Sequence, residues 1–139
     1  MRLFLDTSVL LAACGSVTGA SRLVCVAARS NQWELIVTPY VVEEARRNLA
    51  HLAPGAAAAW RDIESALLVR PDVFTINRPS FVGPAKDRPI LFGALAWADV
   101  LLTLDRADFG GLLDQTFYGL RVLKPGTFLR EERTAGRLG

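Results

Sequence analysis

A chain of 139 residues, 51% hydrophobic and 22% charged, is sized for one domain that buries a core without disulfides or structural metal, which excludes multi-domain, disordered and fibrous classes. Its net charge of +2 names no partner by itself. The single domain is expected to span residues 1–139, with a charged tail over 131–139 that frays.

Leu3, Phe4 and Leu5 form an apolar run without alternation, the pattern of a strand buried on both faces of a parallel sheet. Asp6 follows at its C-terminal end. Residues 9–13 read as a helical turn or two, broken over 15–19, and Ser21 is placed to cap a helix over 22–30. The second strand is expected at 34–38 (ELIVT). Thr38-Pro39 then gives an N-cap hydroxyl and a proline at the first helical position, starting a helix to about residue 50. Pro54-Gly55 opens another helix to residue 68, and a third strand is expected at 73–76 (VFTI). A constrained loop covers 77–86, and Asp87 caps a helix with Pro89 in its first turn. The fourth strand, 100–104 (VLLTL), ends at Asp105. A short helical piece over 109–113, a last strand at 121–123 and a helix from Pro125 complete the chain. Strands alternating with helices imply right-handed crossovers and an α/β fold: a mostly parallel five-stranded sheet flanked by helices as a three-layer sandwich.

Cys14 and Cys25 belong to no CxxC or Cys/His cluster and read as buried thiols of a reducing cytoplasm. Leu11-Ala12-Ala13-Cys14 resembles the end of a lipoprotein signal, but Asp6 interrupts the apolar core such a signal requires. No apolar run approaches the roughly 18 residues of a membrane span. The protein is therefore expected to be cytoplasmic, with no membrane partner.

The acidic residues carry the chemistry. Parallel strands share one C-terminal edge, where α/β sheets bind ligands. Asp6 and Asp105 end strands there, Asp87 begins the helix after the third strand, and Glu43 or Glu44 lies in the second turn of the helix after the second. Helical periodicity does not choose between the two glutamates. Carboxylates gathered in one cleft require raised pKa values or a neutralising cation. An oxygen-only set without His or Cys points to Mg2+ or Mn2+, and such a site serves phosphate chemistry. Asp99 precedes its strand and belongs to the opposite edge, while Asp108 is a possible outer ligand. Thr7, Ser8 and Thr103 supply hydroxyls beside the carboxylates. His51 reads as structural, and Trp33, Trp60 and Trp97 as core. With four of the fourteen acidic residues committed to a metal, ten remain against sixteen basic ones, fourteen of them Arg, a balance suited to a phosphate-bearing partner.

The ensemble resembles the PIN-domain family of metal-dependent nucleases, in particular the VapC-like toxin ribonucleases. Leu5-Asp6-Thr7-Ser8-Val9-Leu10-Leu11 is similar to that family's opening strand and turn. Thr38-Pro39-Tyr40-Val41-Val42-Glu43-Glu44 resembles its Ser/Thr-led helix, whose acidic ligand falls six residues on, which selects Glu44. Lys86-Asp87-Arg88-Pro89-Ile90-Leu91 resembles the third acidic position and Leu102-Thr103-Leu104-Asp105-Arg106-Ala107-Asp108-Phe109 the fourth. Ser8 stands where many members carry Asn, and Ala45 where a larger aliphatic residue is frequent. The resemblance implies Mg2+- or Mn2+-dependent RNA cleavage, with Asp6, Glu44, Asp87 and Asp105 as catalytic metal ligands. It also implies a homodimer held inactive by a cognate antitoxin. Arg46, Arg88 and Arg106 are the candidates for binding the RNA backbone.

Four other readings compete. A catalytically silent PIN scaffold and an RNA-processing factor keep the fold and change the role. A receiver-type signalling domain also uses acidic Mg2+ ligands, a threonine on its fourth strand and a Lys-Pro after its fifth, here Thr103 and Lys124-Pro125. It requires an acidic pair at Asp6 and an aspartate where Asn77 stands, and the chain has neither. A haloacid-type phosphatase requires an aspartate where Ser8 stands.

Overall fold

The computed structural model describes residues 1–73 and 88–139. Its elements run β1 (Arg2–Leu5), α1 (Thr7–Gly15), α2 (Ala20–Asn31), β2 (Glu34–Val37), α3 (Pro39–Leu49), α4 (Ala56–Ser65) and β3 (Leu67–Val69). They continue with α5 (Arg88–Trp97), β4 (Val100–Leu102), α6 (Arg106–Phe109), β5 (Gln115–Phe117), β6 (Leu120–Leu123) and α7 (Pro125–Thr134). The sheet has six strands in the order β3-β2-β1-β4-β6-β5, parallel except for the β5–β6 pair. Leu3, Phe4 and Leu5 of the central strand are fully buried, so helices cover both faces, an arrangement compatible with a three-layer sandwich. On one face α5 brings Gly93 against the ring of Phe4, so closely that a Cβ there would stand 3.1 Å from it. At the start of β2, Trp33 meets Phe128 of α7 edge to face.

Several boundaries differ from the sequence expectation. The sheet has six strands because residues 115–117, with exposed Gln115 and Thr116 and only Phe117 apolar, form no apolar run yet pair antiparallel with β6. The turn joining them holds Tyr118 at φ 49° and Gly119 at φ 82°, two positive values that match the twist of a tight hairpin. The third strand is Leu67–Val69, not 73–76. Leu67 lies four residues after Ile63 and so continues the apolar period of α4, yet the helix stops at Ser65 and the LLV run pairs with β2. Val73 belongs to no strand, and residues 74–76 and the expected loop over 77–86 lie outside the described residues. Ser21 does not cap α2, which starts after Gly19, and Ser21 is buried. Thr38 precedes α3, but among the described residues its hydroxyl makes no hydrogen bond. Asp72 supplies that function instead, both carboxylate oxygens accepting from Tyr40 N at 3.3 and 3.2 Å. The short helix α6 starts three residues earlier than the apolar pattern suggests, because the Asp105 side chain caps it.

The charged tail is ordered by specific bonds. Helix α7 continues to Thr134, the Arg137 guanidinium pairs with buried Glu132, and Gly139 N donates to Asn31 Oδ1 at 2.8 Å. Cys14 is buried as expected, whereas Cys25 is only half-buried; burial nevertheless pushes its thiol up to about 11. Among the described residues no single helix is long and apolar enough to cross a membrane.

Candidate active site

Residues that leave parallel strands at the same register emerge side by side, and this places the site. Leu5 is paired with Leu102, so Asp6 leaves β1 beside Thr103 leaving β4, and Asp6 N extends the ladder by donating to Leu102 O at 3.0 Å. Asp6 then takes the N-cap position of α1, an extended residue whose Oδ1 accepts from Thr7 N at 2.8 Å. Its other oxygen, Oδ2, accepts from Ser8 Oγ and from Thr103 Oγ1, both at 2.7 Å.

The direction of those two hydroxyl protons is fixed by the backbone. Ser8 Oγ accepts from Leu104 N at 3.0 Å, and Thr103 Oγ1 accepts from Asp105 N at 3.0 Å. Each hydroxyl therefore turns its proton toward Asp6. A carboxylate offers about four acceptor positions, so these three donors leave one open.

Asp6 is 3% exposed. Burial, foremost, and the neighbouring Asp105 raise its pKa above the ordinary carboxylate value, outweighing the donors from Ser8, Thr103 and Thr7 that act in the opposite direction. Among the described residues no cation pairs with it.

Around Asp6 opens a cleft of about 240 Å3 lined by Asp6, Thr7, Ser8, Glu44, Asp105 and Asp108. Leu11, Asn48 and Ile90 complete it. Glu44 arrives from α3, and the Thr7 hydroxyl donates to its Oε1. Glu43 is exposed and faces away from the cleft, so the fold distinguishes the two glutamates that helical spacing left equivalent. Asp105 caps α6 by accepting from Asp108 N at 3.0 Å, which also fixes Asp108 at the cleft.

Four of the expected acidic residues, Asp6, Glu44, Asp105 and the outer Asp108, are thus gathered at the C-terminal edge of the sheet. Asp87 lies outside the described residues, and Arg88 opens α5. Arg46 points elsewhere, into an ion pair with Glu64 of α4, while Arg106 is exposed on α6 beside the cleft. Asp99 sits at the opposite edge as expected, its carboxylate bonded to Arg2. His51 is exposed past the end of α3; Trp33 and Trp60 are core, and half-buried Trp97 donates its indole N–H to Pro71 O at 3.0 Å.

Sequence reasoning missed Asn48 and Ile90. Asn48 lies one helical turn beyond Glu44 and its amide donates to Glu44 O at 2.7 Å, so the i, i+4 spacing was the available signal. Ile90 reads only as another core residue until α5 docks.

Hard oxygen donors around a buried carboxylate with one open acceptor position suit Mg2+ or Mn2+ in chemistry. Among the described residues, as the side chains stand, no three His, Cys, Asp or Glu form a ready ion cage. Compared with known proteins, the chain matches no family model and no curated protein.

Proposed function

We propose that this chain is a Mg2+- or Mn2+-dependent endoribonuclease of the PIN type, with Asp6, Glu44 and Asp105 as the carboxylates that hold the ion and Asp108 as an outer contributor. Asp87 completes the set by its place in the sequence motif. The single observation that carries the reading is Asp6: a buried strand-end carboxylate, raised in pKa, served by three donors and by no cation among the described residues, in a cleft shared with three further acids.

The chain's own contribution is orientation and charge. Ser8 and Thr103 fix the Asp6 carboxylate in one rotamer, and the peptide N–H groups of Leu104 and Asp105 fix those hydroxyls in turn. Thr7 restrains Glu44 in the same way. A divalent ion bound there supplies polarisation of a phosphoryl oxygen and offsets charge on the leaving oxygen. The acids also keep the metal-free cleft repulsive to a polyanion, so substrate and ion are expected to bind together. The sequence resemblance extends the proposal to the toxin of a toxin–antitoxin pair, a cytoplasmic homodimer restrained by its antitoxin.

The test incubates purified protein with single-stranded RNA and Mn2+, with and without chelator. Cleavage that chelator stops and that Asp6→Asn abolishes, with an unchanged circular dichroism spectrum, is the expected result. Undiminished cleavage by folded Asp6→Asn overturns the assignment. A wild-type protein that binds RNA without cutting it favours the silent scaffold.

A further inference from the structure

The Lys124-Pro125 pair has no part in the site as built so far, yet the sheet register leads to it. Leu5 pairs with Leu102, and Leu102 with Leu123. The next residue on each strand is Asp6, Thr103 and Lys124, three residues abreast at the C-terminal edge. Asp6 N to Leu102 O and Thr103 N to Leu123 O, each 3.0 Å, carry the ladder to that row. Asp6 and Lys124 also share a backbone conformation, φ −66°, ψ 155° and φ −76°, ψ 151°, each immediately before a helix.

Residues at equal register in parallel neighbours present their side chains to the same face. Asp6 and Thr103 meet on that face through their hydrogen bond. Lys124 therefore stands on the Asp6 side of the sheet, one strand beyond Thr103 and about 10 Å from Asp6 by two inter-strand spacings. It is half-buried. Among the described residues it makes no ion pair, whereas Arg2, Arg46, Arg121 and Arg137 are all bound to carboxylates. An acidic cleft holds an ion but repels the polyanion it is to act on, and a cation two strands away offsets that repulsion at a neighbouring nucleotide.

We infer that Lys124 is a substrate-binding residue, its ammonium taking a backbone phosphate of single-stranded RNA next to the nucleotide in the Asp6 cleft. This rests on the nuclease reading. A lysine suits the task because it meets phosphate as a point charge without demanding a fixed bidentate geometry.

The test compares wild type, Lys124→Ala, Lys124→Arg and, as a control for loss of one charge on another part of the surface, Arg29→Ala of α2. Binding is measured in Mn2+ across a salt series with an all-2′-O-methyl RNA oligonucleotide bearing phosphorothioate linkages to resist cleavage, and cleavage in Mn2+ with the unmodified RNA. Lys124→Ala is expected to weaken binding roughly five- to tenfold and to lower the slope of log affinity against log salt by about 0.7. KM should rise with kcat nearly unchanged, Mn2+ affinity should stay at the wild-type value, and Lys124→Arg should restore most of the loss. Arg29→Ala should match wild type. Normal cleavage in which Lys124→Ala equals wild type in KM and salt slope overturns this inference alone. RNA binding that depends on Lys124 without any cleavage overturns the nuclease reading and keeps the phosphate contact. Absence of both binding and cleavage in the wild type overturns the two together.

Discussion

Two aspartates at opposite edges of the same strand pair have opposite electrostatics. At the N-terminal edge, Asp99 precedes β4 and is bound by Arg2 of β1 through its backbone N–H at 2.9 Å and its guanidinium at 3.1 Å. Those bonds hold its pKa below the ordinary carboxylate value. At the C-terminal edge Asp6 follows β1 and meets Thr103 after β4, with hydroxyls where Asp99 has a cation, and its pKa is raised. The first acid is neutralised by the fold. The second is oriented by the fold and has no cation beside it among the described residues; on the proposed reading a bound ion neutralises it. Position relative to a strand, not residue type, separates the ion-paired carboxylate from the one that hydroxyls orient in a cleft.

The sharpest way to break this contrast is to disturb what orients Asp6. Thr103→Val keeps the side chain's shape but removes a donor to Asp6 and an acceptor for Asp105 N. Cleavage or Mn2+ affinity is expected to fall about 10- to 100-fold, as for outer partners of metal ligands. Stability measured by urea titration should fall by about 1–3 kcal/mol, since a buried group loses its partner.

The next test uses pH on metal-free protein. Because the folded pKa of Asp6 is raised, its contribution to stability is present below the unfolded carboxylate value, about pH 4, and is lost as pH rises through the folded value. Asp6→Asn should therefore gain stability relative to wild type between about pH 4 and neutrality and lose that advantage in acid. Mn2+ should raise the melting temperature of wild type at neutral pH and leave Asp6→Asn unmoved. A wild-type curve parallel to that of Asp6→Asn over this range contradicts the raised value.

Asp99 should show the opposite sign and the smallest size. Its depressed pKa gives stability that is present above the unfolded carboxylate value and lost as pH falls through the folded value. The pair with Arg2 is largely solvent-exposed, so Asp99→Asn is expected to cost only about 0.5 kcal/mol at neutral pH, fading in acid and in high salt. Cleavage should be unaffected.

Much of the site follows from the chain's local pattern. An apolar run ending in a carboxylate identifies Asp6, which follows β1 directly; Asp105, expected at the end of a fourth strand over 100–104, instead stands three residues past Leu102, because β4 stops there, Leu104 is exposed and the Asp105 side chain caps α6. The proline after Thr38 gives the start of α3 for a local steric reason. The elements that misled are those whose identity is decided by a partner: Leu67–Val69 has a helical spacing and becomes a strand because β2 offers it a ladder, and Gln115–Phe117 is a strand only because β6 lies beside it. Thr38 carries a capping hydroxyl, yet Asp72, 32 positions beyond Tyr40, accepts from the Tyr40 N–H instead.

The sequence by itself determined the α/β alternation, the strand-end Asp6 and the oxygen-only character of the acidic set, because backbone sterics and hydrophobic periodicity act over a few residues. The tertiary structure alone decided which acids share a cleft and that Lys124 falls in line with Asp6. Those facts depend on register between strands up to about a hundred residues apart, and that register is fixed by hydrogen-bonded ladders and packing that no local window contains.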